Sequence, residues 1–426
     1  MDRISSKLKS SKKAKPWFFN LYLAVILATW PVATNVSVRL GFANPGLSSI
    51  FIMAIIYLLP IIFIRRRIIF PLKDLIVFYL SINTFLLLFA YQDGSLKLFF
   101  QLLMCIIFYI IMTNKIRTTA QYSILMKWVI CLASVVMAIW CFRYLFVFHN
   151  LVLTPYWDGT DKSEMGKNTL GAFLTIIYPF VYGLVIYRKI TPIIGLPVIL
   201  IMTFSALYVV SRASLIGLVL VILLMFLFSR WKDKWRHFSV LLFCLLVSIS
   251  ITFFFKSSPL ALFLSFDKGA KTFFLESHDT SIGETSRVRL LRRGVLGFLE
   301  QPIFGHGLGS YVNRFGEDPH NDYTRLLFET GITGTFLFLA IILTVLRRLL
   351  KIRQTIASEH YWLLEAQLIA LPIALLSSLV NDLSHTLMWW LLISGGQILY
   401  YDNIPAKSER ITIGHTPVTR VDQPIS

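Results

Sequence analysis

The chain has 426 residues, 56% of them hydrophobic, and its mean hydropathy is +0.70. These values exclude an ordinary soluble protein, and repeated apolar runs of about 18 or more residues are typical of helical membrane proteins. A membrane β-barrel is also excluded, because its strands are about ten residues long and alternate in hydropathy. The net charge of +19 lies mostly in short loops between apolar runs, which indicates membrane topology and not nucleic-acid binding.

In chain order, the first feature is a basic tail at residues 1–16, which the positive-inside rule places in the cytoplasm. Apolar runs then predict twelve helices, at roughly 17–36, 47–64, 72–90, 97–113, 122–147, 169–187, 192–210, 214–229, 238–255, 331–346, 361–380 and 386–401. If these helices cross alternately, every Lys/Arg cluster in a short loop lies on the inside. The predicted fold is an all-α polytopic membrane protein with about twelve transmembrane helices and one large outer loop containing short helices.

Several arginines do not follow the positive-inside rule. Arg212 stands alone between two apolar runs at the predicted outer edge. The long outer loop carries six more: Arg287, Arg289, Arg292, Arg293, Arg314 and Arg325. Because a cation at membrane depth costs several kcal/mol, we expect each to have an anionic partner, either a carboxylate of the protein or a ligand.

Residues 287–300 are predicted to form an amphipathic helix. Its apolar side consists of Val288, Leu291, Val295 and Leu299 at helical spacing, and its cationic side of Arg289, Arg292 and Arg293. One interpretation is a helix lying against lipid headgroups at the membrane surface. For Arg287 and Arg289 we favour contact with a ligand, because both lie at the helix start beside a polar turn.

A glycine-rich segment follows this helix. Gly305, Gly307 and Gly309 allow a tight chain path and a close backbone approach. A GxGxG pattern without a preceding strand is weak evidence for a nucleotide site. For His306, between two of these glycines, a structural and a functional role are left equally open.

The polar stretch after the glycines holds the candidate base. Asp318 and Pro319 are predicted as N-cap and first residue of a new helix, with His320 and Asn321 in its first turn. A helix N-terminus disfavours added positive charge, so His320 is predicted to be neutral near pH 7. A neutral imidazole can accept a proton from a hydroxyl. Tyr323 continues the same helix face.

Arginines and a neutral histidine at the outer boundary suit one kind of chemistry. Guanidinium groups match phosphate oxygens, so they can hold a pyrophosphate and stabilise its charge as it departs. No metal and no cofactor is predicted, because the outer carboxylates are scattered and form no paired motif. The four cysteines, Cys105, Cys131, Cys141 and Cys244, all lie inside apolar runs and indicate neither disulfides nor a thiolate metal site.

The same residues resemble the O-antigen ligase family, membrane glycosyltransferases that attach a lipid-linked glycan to lipid A-core. His320-Asn321, nine further residues and Gly331-Ile-Thr-Gly334 fit the family pattern H-[NSQ]-x9-G-x-x-G. The segment Gly305–Gly309 is also similar to the family, as are Ser211-Arg212 and Ser286-Arg287.

The resemblance implies transfer of O-antigen from undecaprenyl pyrophosphate to lipid A-core, without a metal. It implies that His320 acts as base on the acceptor sugar hydroxyl and that Arg212 and Arg287 bind the donor pyrophosphate. Arg289 is the alternative counterpart of Arg287. The supporting residues are Asn321, Tyr323, Gly305, Gly307 and Gly309. Membrane lipids are the remaining expected partner, and no nucleic acid is expected.

On this interpretation the chain has five parts. They are a cytoplasmic basic tail (1–16), transmembrane helices one to nine (17–255), a periplasmic catalytic loop (256–330), transmembrane helices ten to twelve (331–401) and a cytoplasmic tail (402–426). The expected location is the bacterial inner membrane, with the active site facing the periplasm.

Two alternatives stay open. An O-antigen polymerase shares the layout and differs chiefly in its acceptor, which is another lipid-linked glycan. A transporter of lipid-linked sugars requires charged residues along a path through the bilayer, and the predicted spans offer few candidates: Asp74, Arg143 and Glu365.

Overall fold

The computed structural model describes residues 20–25, 27, 70–92, 94–142, 165–208, 212–228, 286–319, 321–379 and 387–404, with short pieces of 235–250. For some residues near helix ends, among them Arg212 and Arg287, only the backbone is described. The described residues form helices and turns and include no strand. Predicted helices one, two and nine fall wholly or mostly outside these ranges, as do residues 256–285 of the predicted outer loop.

Eleven α-helices can be bounded within the described residues. They are α1 (Lys73–Phe89), α2 (Ser95–Lys115), α3 (Thr119–Phe142), α4 (Met165–Ile186), α5 (Pro192–Tyr208), α6 (Arg212–Phe228), α7 (Ser286–Glu300), α8 (Ser310–Phe315), α9 (Asp322–Lys351), α10 (Tyr361–Ser377) and α11 (Leu387–Asn403). α1 to α6, α10 and α11 confirm predicted helices three to eight, eleven and twelve. Where the residues on both sides of a helix end are described, that end lies within three residues of the predicted one.

Several of these helices are long and apolar enough to cross a membrane. Four candidate spans lie in the described residues: Ser95–Lys115, Thr119–Ile139, Asp322–Gln354 and Ser358–Ser377. Shorter apolar helices cover Leu170–Ile186, Ile193–Ala206 and Gly217–Leu227. The protein is therefore an all-α membrane protein, and the number of twelve spans stays a prediction.

The bundle has two chemically different ends. At one end, which we call the site end, the Asp322 N–H at the start of α9 bonds to the Ser378 carbonyl just after α10, at 2.9 Å. At the opposite end the ring of Tyr187, after α4, lies 6.3 Å from that of Tyr361, which begins α10. Since α4 finishes at this second end and α5 returns from it, α6 begins with Arg212 at the site end.

Basic side chains gather at the second end, which we call the basic end. They include Lys115, Arg117, Arg188, Lys189, Arg347, Arg348, Lys351 and Arg353. The described loops therefore follow the alternation that the charge pattern predicts.

α10 and α11 lie at the centre of the bundle and are buried on almost all sides, as expected for helices that are apolar all round. Two of their buried polar side chains are bonded by neighbouring helices. The Tyr122 hydroxyl of α3 donates to Gln367 Oε1 at 3.1 Å. The Tyr187 hydroxyl donates to Glu365, the buried carboxylate that the transporter alternative would place on a path.

Candidate active site

The second glycine-containing part of the His320 motif coincides with a break in the backbone of α9. α9 is interrupted at Gly331, where φ is 62° and ψ is −166°. In an unbroken helix the N–H groups of residues 332 and 333 would bond to the carbonyls of Phe328 and Glu329. Here Ile332 N bonds instead to Pro302 O at 2.8 Å, and Thr333 N to Ile303 O at 3.2 Å.

The break leaves the carbonyls of Phe328 and Glu329 without a partner in the helix, and the glycine-rich segment donates hydrogen bonds to both. His306 N donates to Phe328 O and Gly307 N donates to Glu329 O, both at 2.9 Å. Residues 302–307 are therefore inserted into the hydrogen-bond ladder of α9. The predicted start of helix ten at residue 331 coincides with this break.

The insertion requires glycine at two positions. A Cβ on Gly331 would lie 2.4 Å from the Ile303 carbonyl oxygen, and a Cβ on Gly305 would lie 2.6 Å from Gly331 N. Gly307 meets the turn after α1 in the same way, because its Cβ would lie 2.2 Å from the Ala90 carbonyl oxygen. The predicted close backbone approach of this segment is confirmed, and its partner is the protein's own backbone.

The start of α9 differs from the prediction. The N-cap is Asn321, whose side-chain oxygen accepts from Thr324 N at 3.0 Å, and the helix begins at Asp322. The prediction that Asp318 is the N-cap and that His320 and Asn321 lie in the first turn was therefore wrong. Asn-x-x-Thr offers a side-chain cap of its own, and it is the cap used.

The first turn of α9 is bonded to the end of α10. Besides the bond from Asp322 N, the Asn321 side-chain amide donates to Leu379 O at 2.9 Å and the Tyr323 hydroxyl donates to Leu375 O at 2.8 Å. Both predicted supporting residues thus hold this turn in place. His320 itself lies outside the described residues.

α7 packs on the first part of α9 through a face that sequence reasoning missed. Leu290, Gly294 and Gly297 are buried, and a Cβ on Gly297 would lie 2.3 Å from the ring of Phe328. The Tyr311 hydroxyl of α8 donates to the Leu290 carbonyl, and burial raises the pKa of this phenol to about 12. The two glycines in the helix were the available signal, since glycine inside a helix otherwise destabilises it.

The predicted apolar side of α7 faces away from the protein. Leu291, Val295 and Leu299 are 45%, 46% and 64% exposed. They continue into exposed apolar residues of the adjoining segments, including Phe304, whose ring lies 5.8 Å from that of Phe85 on α1. This arrangement favours a helix that lies against lipid, as the amphipathic pattern predicts.

We expect a nitroxide attached through Leu299→Cys to contact lipid. In a Cys131→Ser background, electron paramagnetic resonance should show greater access to oxygen, which concentrates in lipid, than to a water-soluble nickel chelate. Asn313→Cys, at an exposed position of α8, is the matched control and should show the reverse preference. Equal nickel access at both positions would contradict lipid contact by α7.

The polar side of α7 faces the segment that precedes Asn321. Arg289 Nη2 lies 3.6 Å from Glu317 Oε1, and the buried Arg289 Nε atom has no hydrogen-bond partner among the residues that the structure describes. Arg314 makes a two-bond pair with Glu300, at 2.6 and 3.0 Å, which holds the pKa of that exposed carboxyl below its ordinary value. Arg289 therefore retains donor capacity, while Arg314 is occupied by a carboxylate.

Arg325 has carboxylate partners within the protein. Its Nε lies 3.3 Å from Glu329 Oε1 and its Nη1 lies 3.5 Å from Asp318 Oδ2. Sequence reasoning expected an anionic partner for Arg325 and did not identify it. The signal was present, since Arg and Glu four residues apart in a helix face each other.

His306 has a structural role. Its Nε2 lies 2.8 Å from the Gly297 carbonyl oxygen, and its ring stacks on Phe328 at 4.5 Å between centroids. These contacts join the glycine-rich segment to α7.

The structure brings most of the predicted site residues together. Gly305, Gly307 and Gly309 form the inserted turn, Asn321 and Tyr323 fix the start of α9, and Arg289 reaches Glu317. Arg287 has its backbone in the first turn of α7, and Arg212 has its backbone at the site end of α6. Within the described ranges, no group of three or more His, Cys, Asp or Glu side chains is placed to hold a metal ion.

Fold and site define the protein as a helical membrane protein with a polar, arginine-containing centre at one end of its bundle. Residues 197–339 match the family model described as O-antigen ligase. The match runs from α5 to the membrane part of α9 and contains Arg212, α7, the inserted turn and the His320 motif. The match supports the family resemblance over residues 197–339, about a third of the chain. No curated protein matches the chain.

Proposed function

We propose that the protein is an O-antigen ligase of the bacterial inner membrane. It transfers O-antigen from undecaprenyl pyrophosphate to a sugar hydroxyl of lipid A-core. One observation carries the proposal. Arg289 of α7 lies 3.6 Å from Glu317, which places a guanidinium beside the short segment that contains His320.

The proposed reaction needs one base and one anion-binding group. The acceptor hydroxyl oxygen attacks the anomeric carbon of the donor sugar while its proton passes to the His320 imidazole. The bond between that carbon and the pyrophosphate oxygen breaks, and undecaprenyl pyrophosphate leaves with the electron pair. Guanidinium groups stabilise the negative charge that develops on the leaving oxygen.

Arg289 is well suited to the pyrophosphate. Within the described part of the chain its buried Nε has no partner, and its ion pair with the exposed Glu317 is a long contact. A guanidinium can bind two phosphate oxygens with separate nitrogens, so a ligand would displace little. Arg287 and Arg212 complete the proposed anion site, Arg287 from the same turn of α7 and Arg212 from the site end of α6.

The same charge pattern orients the protein. Basic side chains mark cytoplasmic loops, so the basic end is proposed to face the cytoplasm and the site end the periplasm. Residues 256–330 then form the periplasmic catalytic loop between the two transmembrane parts, 17–255 and 331–401. The tails 1–16 and 402–426 lie in the cytoplasm.

His320→Ala tests the proposal. A general base contributes about 100-fold to 10,000-fold to a rate, so the variant should leave lipid A-core uncapped while lipid-linked polymer accumulates. Lipopolysaccharide gels from a deletion strain complemented with each variant measure this. His360→Ala is the matched control, because His360 pairs with Glu359 at the basic end and its loss should leave capping intact.

Two results would contradict the ligase. Normal capped lipopolysaccharide in the His320→Ala strain would remove the proposed base. Core bearing a single repeat unit in the deletion strain would indicate the polymerase, because that pattern shows capping without chain extension.

A further inference from the structure

A buried ion pair joins two parts of the site that are separate in the sequence. The Arg325 and Glu329 side chains are 9% and 1% exposed, and both lie on the first part of α9. Arg325 also reaches Asp318, which is 22% exposed and stands two residues before His320. The guanidinium therefore bridges a buried carboxylate and the segment that carries the proposed base.

Glu329 connects the same pair to the inserted turn. Its carboxylate accepts backbone N–H bonds from Gly309 and Tyr311 in addition to the bond from Arg325. Its carbonyl accepts from Gly307 N at 2.9 Å. The side-chain carboxylate and the backbone carbonyl of Glu329 thus both accept hydrogen bonds from residues 307–311. Arg325 links Glu329 in turn to Asp318.

The free-energy cost of burying the Arg325–Glu329 ion pair favours a role for it beyond stabilising the fold. Removing two charges from water costs several kcal/mol per ion, and a well-packed apolar pair of similar size often stabilises a fold equally well. What an apolar pair does not supply is a defined direction. A guanidinium fixes two carboxylates at set angles, because its nitrogens lie in one rigid plane.

We propose that Arg325 is a positioning residue that holds the segment containing His320 in register with the inserted turn and α7. The inference rests on the proposed function of His320 as base. A base displaced by about 1 Å loses up to roughly 100-fold in rate without any loss of substrate binding. Breaking the bridge should therefore lower kcat and leave the KM for the lipid-linked donor nearly unchanged.

Arg325→Lys is the sharpest variant. Lysine keeps a cation beside Glu329, so the buried carboxylate stays compensated and the fold is retained. Its single nitrogen cannot occupy the positions of both Nε and Nη1, so the rigid two-point geometry that Arg325 gives the bridge is lost. The experiment compares purified wild type and variant in lipid nanodiscs, with lipid-linked O-antigen as donor and lipid A-core as acceptor.

We expect kcat to fall about 10-fold to 100-fold in Arg325→Lys, with the donor KM within about twofold of wild type and a similar melting temperature. Asp318→Asn weakens the other side of the bridge and should give the same split. The double variant should be no slower than the slower single variant, because both act on one connection. Glu300→Gln, which frees the exposed Arg314, is the control and should keep the wild-type kcat.

The results separate the positioning role of Arg325 from the proposed ligase function. Wild-type kcat in Arg325→Lys and Asp318→Asn would overturn the positioning role while leaving the ligase intact. Additive losses in the double variant would also overturn it. A wild-type protein that transfers no glycan would instead overturn the proposed function, and with it this inference.

Discussion

Replacing Gly331 by alanine should unfold the site end of the protein. The backbone at this position, with φ 62° and ψ −166°, lies in a region that is nearly exclusive to glycine and costs another residue about 1–3 kcal/mol. The new Cβ would also lie 2.4 Å from the Ile303 carbonyl oxygen, so residues 302–307 would have to move away. Their displacement breaks four backbone bonds of about 1 kcal/mol each.

The combined loss should be at least about 3 kcal/mol, because the strain and the broken bonds act together. The measurements are the melting temperature of the protein in detergent and glycan transfer in membranes, and both should fall. Gly316→Ala is the matched control. Gly316 also has a positive φ, 74°, in the left-handed region with ψ −7°, and nothing lies within 4 Å of its Cβ position, so this variant tests a positive-φ glycine without the clash. Equal losses in the two variants would contradict the inserted-turn explanation.

Gly297→Ala should separate α7 from α9. The added methyl would lie 2.3 Å from the Phe328 ring, which is fully buried and cannot move aside easily. That ring is enclosed by His306, Tyr311 and Phe315, with centroids 4.5, 5.2 and 5.4 Å away. Overpacking of this kind costs about 1–3 kcal/mol and outweighs the gain of up to about 1 kcal/mol in helix propensity.

In Gly297→Ala the rate of glycan transfer should fall by more than the loss of stability alone explains. The reason is that a shifted α7 moves Arg289 away from Glu317. The check is a double variant with Phe328→Leu, which removes ring atoms next to residue 297. Measured by melting temperature and by glycan transfer, the pair should recover part of what each single change loses. Strictly additive losses would show that the two side chains do not oppose each other.

The membrane helices could be located from the sequence because their signal is long and local. Apolar runs bounded by Arg and Lys fixed α1 to α6, α10 and α11 to within a few residues. The His320 motif could be recognised for a similar reason, since its spacing is set by one helical segment that ends at Gly331. The glycine at the end of the motif pattern is the residue at which the helix backbone is interrupted.

Contacts between distant segments could not be predicted. The cap at Asn321 depends partly on the end of α10, more than fifty residues later, which binds both Asn321 and Asp322. The bridge from Arg325 to Asp318 and the packing of Gly297 on Phe328 arise only when α7, the inserted turn and α9 assemble. Hydropathy and residue spacing carry no information about such pairings.

The exchange of backbone bonds at Gly331 has a consequence for biogenesis. Residues 302–307 are synthesised before residues 328–333, so each set of peptide groups lacks its final partner until the other has been translated. The bond between Asp322 N, in the first turn of α9, and Ser378 O forms later still, because Ser378 is translated after all of α9 and α10. Assembly of this region must therefore be a late step, completed only after α10 has been synthesised.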